Sequence, residues 1–433
     1  MKPPAGSPAA AASDAAKFYK VVSLPGTHVS DRHVTMSASL PPAASLPRLK
    51  MHYFAVYGVM GCVAPYLSVY LRDVKILTPA QIGLIYATGQ AGVLFMPALM
   101  THFADRHRLV APLLAGLFAV NAAAVGLLSH AAGFAACLAA VFFVQLANQP
   151  QIALGDGLFF SFQRDPRMPT TKYSAVRVWG TLGFIFASMV VAGFFRWGGL
   201  ELMPAVAMGA AVLGLLNALR LPARLPPLAA TTPGRLPSLE AARVLMQPRL
   251  AVLCLGLGCL VATNAAYYAF YPLYLTDLAG IPARWVGIVA AGGVTIEVGW
   301  MLAFESLRAR FGLPGMIMLG GCSAVTRLAL LAFLPVAGVA VGVQVIHGVT
   351  VIGLLITPAM YLNSQAPDHC RNSVQGLYVM LVVGVFAIVG NTLAGMVAEI
   401  GLLTLYRSAL GVGALGLALV VFSFLWRRPP SPA

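Results

Sequence analysis

The stretch 155–184, GDGLFFSFQRDPRMPTTKYSAVRVWGTLGF, joins two apolar runs through a short polar segment. Each run carries one charge near its polar end, Asp156 in the first and Arg177 in the second. A charge inside a membrane helix costs ~2.5–3.5 kcal/mol on insertion scales, so such residues are rare and usually functional. The pattern predicts a membrane-crossing helical hairpin in which the two opposite charges lie at nearly the same depth and can pair.

The composition of the whole chain also indicates a membrane protein. Of 433 residues, 59% are hydrophobic and only 9% are charged, far from the balance of a soluble domain. The net charge of +15 does not indicate a nucleic-acid partner, because no soluble polar face carries it. The six cysteines form no CxxC pair and have no histidine at ligand spacing, so we expect packing residues, no metal and no cofactor.

Twelve apolar runs are long enough for the ~20 residues that a membrane-spanning helix needs. The predicted spans are 51–71, 79–102, 109–129, 133–162, 173–195, 200–220, 250–275, 284–307, 314–334, 336–362, 372–398 and 401–426. A proline-rich segment divides them six and six. The predicted organisation is a disordered cytoplasmic tail (1–49), an N-terminal six-helix half (50–221), a cytoplasmic linker (222–249), a C-terminal six-helix half (250–427) and a cytoplasmic tail (428–433).

The distribution of lysine and arginine predicts the orientation in the membrane. With the N-terminus inside, the inside segments hold 21 of these residues and the outside loops hold five. Cytoplasmic loops carry the excess of basic residues in membrane proteins. We therefore expect a multi-pass protein of the cytoplasmic (inner) membrane with both termini in the cytoplasm.

The second half contains three further ionisable residues near the middle of consecutive spans, namely Glu297, Arg327 and His347. At similar depth on three helices they can meet in one cavity, or they can simply lock the packing of those helices. Both interpretations are open from the sequence alone.

Polar and aromatic side chains offer candidate contacts for a ligand. Asn264, Tyr267 and Tyr271 share one helical face, with Tyr268 beside them, and can stack on a ring and hydrogen-bond to it. The alternative for Tyr271 and Tyr274 is an aromatic belt at the outer interface. Four amides in spans 3 and 4 fit interhelical hydrogen bonds or substrate contacts equally well: Asn121, Gln145, Asn148 and Gln149.

Five segments in order resemble the major facilitator superfamily, in its lactose permease-like branch, which includes phenylpropionate and nucleoside permeases. They are LGDGLFF, YSAVRVWGTLGFIFAS, GGVTIEVGWML, SAVTRLAL and VQVIHGVT, and the similarity covers about 50–427. AAYYAFYPLY resembles the phenylpropionate permeases, and FADRHR, with Asp105 and Arg106, resembles the inside gating-loop signature without its glycines. Thr350 stands where the sugar permeases carry a carboxylate, and span 11 lacks their lysine.

The resemblance implies an all-α membrane protein with twelve transmembrane helices in two six-helix halves. It implies proton-coupled symport of a small organic solute (an aromatic acid, a nucleoside or a sugar) by alternating access. The residues expected to bind substrate are Asp156, Arg177, Asn264, Tyr267 and Tyr268. Those expected to couple protons are Glu297, Arg327 and His347, with Glu297 as the first choice for the proton carrier.

Two other functions are open: a drug or metabolite efflux antiporter on the same fold, and a membrane sensor that moves no solute. The sequence has no GxxxxGK[ST], HExxH or GxSxG motif, so we expect no enzyme and no primary pump. We expect a monomer whose partners are a small organic solute, protons and the lipid bilayer. We expect no nucleic-acid partner.

Overall fold

A computed structural model describes residues 45–107, 109–163, 170–221, 239–367 and 370–426. Most of the predicted N-terminal tail and the predicted C-terminal tail lie outside these residues. Within the described part, eleven helical segments are long and apolar enough to cross a membrane. They are α1 Ser45–Asp73, α2 Pro79–Ala104, α3 Val110–His130, α4 Gly133–Gln163, α5 Tyr173–Phe195, α6 Gly199–Ala218, α7 Pro248–Asp277, α8 and α9 together Ala283–Phe333, α10 Ala337–Gln365, α11 Ser373–Ile400 and α12 Leu402–Leu425.

The 51-residue segment Ala283–Phe333 comprises two of the predicted spans. Gly312 interrupts the helix, since its φ of 64° and ψ of 174° are not helical. Glycine adopts this conformation readily because it has no Cβ. Pro314 follows two residues later, in the first turn of the second helix, where its missing N–H costs little. α8 therefore ends before Gly312 and α9 begins after it, so the predicted twelve-helix fold is confirmed and the chain is a multi-pass membrane protein.

Each group of six helices contains a hydrophobic cluster of its own, and a third, larger cluster joins buried residues of both groups. In the first half, α1 packs against α5 and α6, and α3 packs against α4 and α6. In the second half, α7 packs against α11 and α12, and α9 contacts α10 and α12. The described part of the predicted linker contains a short helix, Leu239–Leu245, that packs on the beginning of α11.

The two halves meet through α2 against α11 and through α5 against the α8–α9 segment. We call the face where α1 begins and α6 ends the linker face, and the opposite one the far face. At the far face Arg72 forms an ion pair with Asp277, and the Ala80 N–H donates to Glu399 at 3.4 Å. Contacts at the far face thus join the first half to the second.

The crossing of α2 and α11 near the far face depends on two glycines. A Cβ placed on Gly83 would lie 2.7 Å from the Gly395 Cα and 2.5 Å from the Asn391 carbonyl oxygen. Both neighbours are backbone atoms, so they cannot rotate away as a side chain would. The two helices are therefore in backbone contact here, as small residues allow in membrane bundles.

Two helices of the second half contain π-helical turns. They are Ile352–Ile356 in α10 and Tyr378–Gly384 in α11. Such turns are rare and occur often at functional sites, because they redirect the side chains on either side. In α10 the turn begins five residues after His347, so it adjusts the helix beside one of the predicted site residues.

Candidate functional site

A cavity of about 410 Å³ lies between the halves and is lined by residues of both. This volume falls within the ~300–1,000 Å³ of typical small-molecule sites. The first half contributes the polar side chains Tyr86, Gln90, Gln145, Asn148 and Gln149. The second half contributes Tyr267, Tyr268, Tyr271, Glu297, Gln344, His347 and Asn391.

The three ionisable residues predicted in the second half form a chain at the wall of this cavity. The His347 Nε2 lies 3.5 Å from the Glu297 carboxylate, and its Nδ1 lies 3.2 Å from the Arg327 Nη1. The Arg327 Nη2 donates to the Asn264 Oδ1 at 2.7 Å. The structure thus brings together Glu297, His347, Arg327 and Asn264, which belong to four different helices.

Arg327 determines which nitrogen of His347 carries the proton. A guanidinium has only donors, so the His347 Nδ1 facing it must be an acceptor. The neutral ring then carries its proton on Nε2, which faces Glu297 and also lies 3.5 Å from the Tyr268 hydroxyl. A second proton on His347 would break the bond to Arg327 and place two cations side by side.

The charged side chain of Arg327 is almost completely buried. Its side chain is 1% exposed, and its guanidinium carbon lies 3.7 Å from the centre of the Tyr267 ring. Among the described residues no carboxylate lies within the 4.0 Å of an ion pair, so Glu297, across His347, is the charge that balances it. Arg327 does not line the cavity itself.

Asp156 and Arg177 lie in one cluster, but the predicted direct pairing is wrong for this structure. Asp156 accepts hydrogen bonds from the hydroxyls of Tyr53 at 2.5 Å and Tyr173 at 2.7 Å. Arg177 donates to the Tyr57 hydroxyl and stacks on the Tyr57 ring at 4.3 Å. Tyrosine side chains thus lie between the two charges, and Tyr53 contacts both, because its ring also lies 5.3 Å from the Arg177 guanidinium carbon.

This tyrosine cluster lies beside the cavity, toward the linker face. Asp156 and Arg177 do not line the cavity, whereas Val59, two residues after Tyr57 on α1, does. Arg177 lies on α5, the helix that contacts the α8–α9 segment of the second half. The cluster therefore adjoins both the cavity and the second half.

Tyr271 and Tyr274, for which the sequence also allowed an aromatic belt at the outer interface, are buried. The Tyr271 hydroxyl donates to the Ala340 carbonyl at 2.6 Å, and the Tyr274 hydroxyl donates to the Leu331 carbonyl at 2.7 Å. Both rings therefore link α7 to neighbouring helices, and the belt interpretation is wrong for them.

The residues predicted as a gating loop lie in a helix. The helix of α2 continues to His107, so Asp105 and Arg106 belong to its last turn. Basic side chains are favourable there because they interact with the helix dipole. The Arg106 side chain is exposed, and that of Asp105 lies outside the described part.

Several residues of the site were missed by sequence reasoning. Tyr53 and Tyr57, which contact the two charges of the first half, stand four residues apart on α1, a spacing that was available in the sequence. Gln344 stands one turn before His347 on α10 and lines the same cavity. Asn148 fits both interpretations of the amides, since it lines the cavity and accepts from Asn121 at 3.3 Å.

Residues 46–408 match the model of the MFS_1 like family. The chain belongs to this family of major facilitator superfamily transporters. It is 25% identical to the xanthosine permease of Escherichia coli (strain K12) over 81% of this chain and 87% of that one. It is 28% identical to the maltose permease of Geobacillus stearothermophilus over 76% of this chain and 81% of that one.

A crystal structure of the nucleoside transporter NupG has the same fold, with a TM-score of 0.79 at 20% identity over 88% of this chain and 99% of that chain. The resemblance inferred from the five sequence segments is thereby confirmed at the level of the family.

Proposed function

We propose that the protein is a proton-coupled symporter that takes up a neutral nucleoside by alternating access. The observation that carries this proposal is the Glu297–His347 pair at 3.5 Å in the wall of a cavity between the two halves. Carboxylate and imidazole groups inside a membrane bundle are characteristic of proton relays. The similarity to nucleoside permeases supports the choice of a nucleoside as substrate.

The charge of the cavity favours a neutral solute. Its lining includes the carboxylate of Glu297 but, among the described residues, no lysine or arginine. Arg327 is engaged by Asn264 and His347 and does not line the cavity. An aromatic acid would bring a second negative charge without a partner, so we do not propose it as the substrate.

The lining also matches the chemistry of a nucleoside. Tyr268, 42% exposed and facing the cavity, offers a ring on which a base can stack. Amides such as Gln149 and Asn148 both donate and accept hydrogen bonds, as the hydroxyls of a ribose and the edge of a base require. A sugar would use the amides as well, but it has no aromatic ring to stack on that of Tyr268.

Coupling is proposed to run through Glu297. Protonation converts its carboxylate from a pure acceptor into a group that can also donate, so the cavity presents a different hydrogen-bonding pattern in each state. If the substrate prefers the protonated pattern, proton and substrate each raise the affinity for the other, as linkage requires. His347 and Arg327 hold the geometry and the charge balance of this step.

Asp156 and Arg177 are proposed to contact the solute on its way to the linker face, because their cluster adjoins the cavity on that side. We further propose that the linker face is cytoplasmic, as the lysine and arginine count predicts, that the membrane is the inner one and that the protein acts as a monomer.

The test is uptake into proteoliposomes with an imposed inward proton gradient, using labelled xanthosine, uridine and maltose. Wild-type protein should accumulate a nucleoside above equilibrium only with the gradient. Glu297→Gln should still exchange nucleoside across the membrane but should not accumulate it. Glu305→Gln is the matched control, because Glu305 lies on the same helix, is exposed and pairs with Arg308 away from the cavity.

Each other outcome has a defined meaning. Transport of maltose alone would show that the substrate is a sugar and not a nucleoside. Proton-driven export in place of uptake would favour the efflux antiporter, and binding without any movement would favour the sensor. Full accumulation by Glu297→Gln would contradict its role as the proton carrier.

A further inference from the structure

A second cavity, of about 400 Å³, lies in the first half, away from the substrate cavity. α5 and α6 both pack on α1 but touch each other little, so a groove remains between them with α1 as its floor. Its walls are apolar side chains and glycines. Phe186 and Leu213 at its edges are 58% and 52% exposed, so the groove opens to the surface of the bundle.

One end of this groove is basic and aromatic. Lys50, Phe54 and Gly58 stand at intervals of four residues on α1, so Lys50 continues the stripe that forms the floor. The Lys50 Nζ lies 5.7 Å from the ring of Trp179 on α5, which is 39% exposed. The ammonium group and the indole therefore lie together at the linker-face end of an apolar groove.

The charge at this end has no acidic partner among the described residues. No ion pair involves Lys50, and the nearby Arg48 donates to the backbone carbonyl of Arg220. Lys50 is thus the basic side chain that lies beside Trp179 at this end of the groove. Its charge is available to an anion at the membrane surface.

The length of the groove matches one leaflet of a bilayer. From Lys50 to Cys62, at the other end of the floor, α1 rises ~18 Å at 1.5 Å per residue. Half of the hydrocarbon core is ~15 Å thick. A chain that starts at Lys50 and follows the groove would therefore reach about the middle of the membrane.

We propose that this groove binds an anionic phospholipid. The phosphate would contact the Lys50 ammonium and the Trp179 indole N–H, and one acyl chain would lie along Phe54, Gly58 and Gly209. Lysine and tryptophan at the same level are the residues that anchor lipid headgroups. A second copy of the chain is the rival occupant, and the test below distinguishes it.

Two variants separate the apolar and the charged parts of the site. Gly209→Leu fills the groove, because a Cβ at Gly209 meets no atom within 4 Å. Its control is Gly116→Leu on α3, where a Cβ is equally free and which does not line this groove. Lys50→Gln removes the charge, and its control is Arg284→Gln, since Arg284 lies 5.9 Å from the Trp285 ring and away from this groove.

The experiment is native mass spectrometry of the purified protein titrated with dioleoyl-phosphatidylglycerol. We expect wild type and both controls to retain one lipid. Lys50→Gln should bind about fivefold more weakly, the effect of one basic residue at an anionic surface. Gly209→Leu should bind about 15-fold more weakly, the loss expected when roughly two methylenes leave an apolar surface.

Three results would overturn the proposal: equal retention by Gly209→Leu, equal retention of phosphatidylcholine by wild type, or displacement of the lipid by glycerol phosphate, which lacks acyl chains. A dimer mass that disappears in Gly209→Leu would show that a second copy occupies the groove. If Gly209→Leu does not fold, brominated phosphatidylglycerol decides the question, because it must quench wild-type tryptophan fluorescence more than that of Trp179→Phe.

Discussion

The proposed alternating access requires the far face to open, and Gly83→Ala should bias the protein toward that state. In the far-face-closed structure the added Cβ would lie 2.7 Å from the Gly395 Cα, whereas carbon atoms in contact prefer ~3.5–4.0 Å. α2 and α11 must therefore separate by about 1 Å at this crossing, or the backbone must distort. The clash exists only while the far face is closed.

The size of the effect follows from the cost of overpacking. Forcing a methyl group into a filled contact typically costs about 1–3 kcal/mol, which changes a two-state population about 5–150-fold. The Cβ contacts of Gly395 are slightly longer, 2.8–3.1 Å, so Gly395→Ala should have the same effect to a smaller degree. Gly411→Ala is the control, because no atom lies within 4 Å of its Cβ.

Hydrogen exchange measured by mass spectrometry reads this population, since amides that exchange through opening do so in proportion to the open fraction. Peptides covering the far-face ends of α2 and α11 should exchange faster in the order Gly83→Ala, Gly395→Ala, Gly411→Ala. If all three variants exchange like wild type while remaining folded, the glycine crossing does not separate during the cycle, and the reasoning from backbone contact is wrong.

Three other substitutions test the charged groups. The double variant Asp156→Arg with Arg177→Asp should keep near wild-type thermal stability, because tyrosine hydroxyls can donate to a carboxylate or accept from a guanidinium. It should nevertheless lose uptake. Uptake at the wild-type rate would exclude a role of these two residues in binding substrate. Arg327→Met should be destabilised by about 1–3 kcal/mol, because it leaves the buried Asn264 oxygen without its hydrogen bond. An unchanged melting temperature would contradict this. Asp277→Asn breaks a partly exposed ion pair with Arg72 that is worth ~0–1 kcal/mol. Hydrogen exchange at the far face should therefore rise less than in Gly83→Ala. A larger rise would show that the ion pair, and not the glycines, holds this face closed.

The spans and the depths of the charges were predictable from the sequence. A run of about twenty apolar residues has few alternatives to a membrane helix, and position along that helix determines depth. The meeting of Glu297, Arg327 and His347 was one of the two outcomes that this depth allowed, because residues at similar depth on neighbouring helices can come into contact.

The direction in which a side chain points around its helix was not predictable in the same way. Asp156 and Arg177 have the right depth to pair, yet Tyr53, Tyr57 and Tyr173 occupy the space between them. Rotation of a helix about its axis depends on packing against its neighbours, which a single sequence does not specify. The π-helical turn after His347 changes that rotation locally and leaves no signature in the hydrophobic pattern.

The one-residue connection at Gly312 has a mechanical consequence. α8 carries Glu297, α9 carries Arg327, and a joint this short leaves no slack between the two helices. In the proposed transport cycle α8 and α9 therefore cannot slide far along each other, and the carboxylate and the guanidinium keep nearly the same relative depth in the membrane. His347 lies between them on α10, whose π-helical turn begins five residues further on. A change in the position of its imidazole would make or break the contacts with both groups.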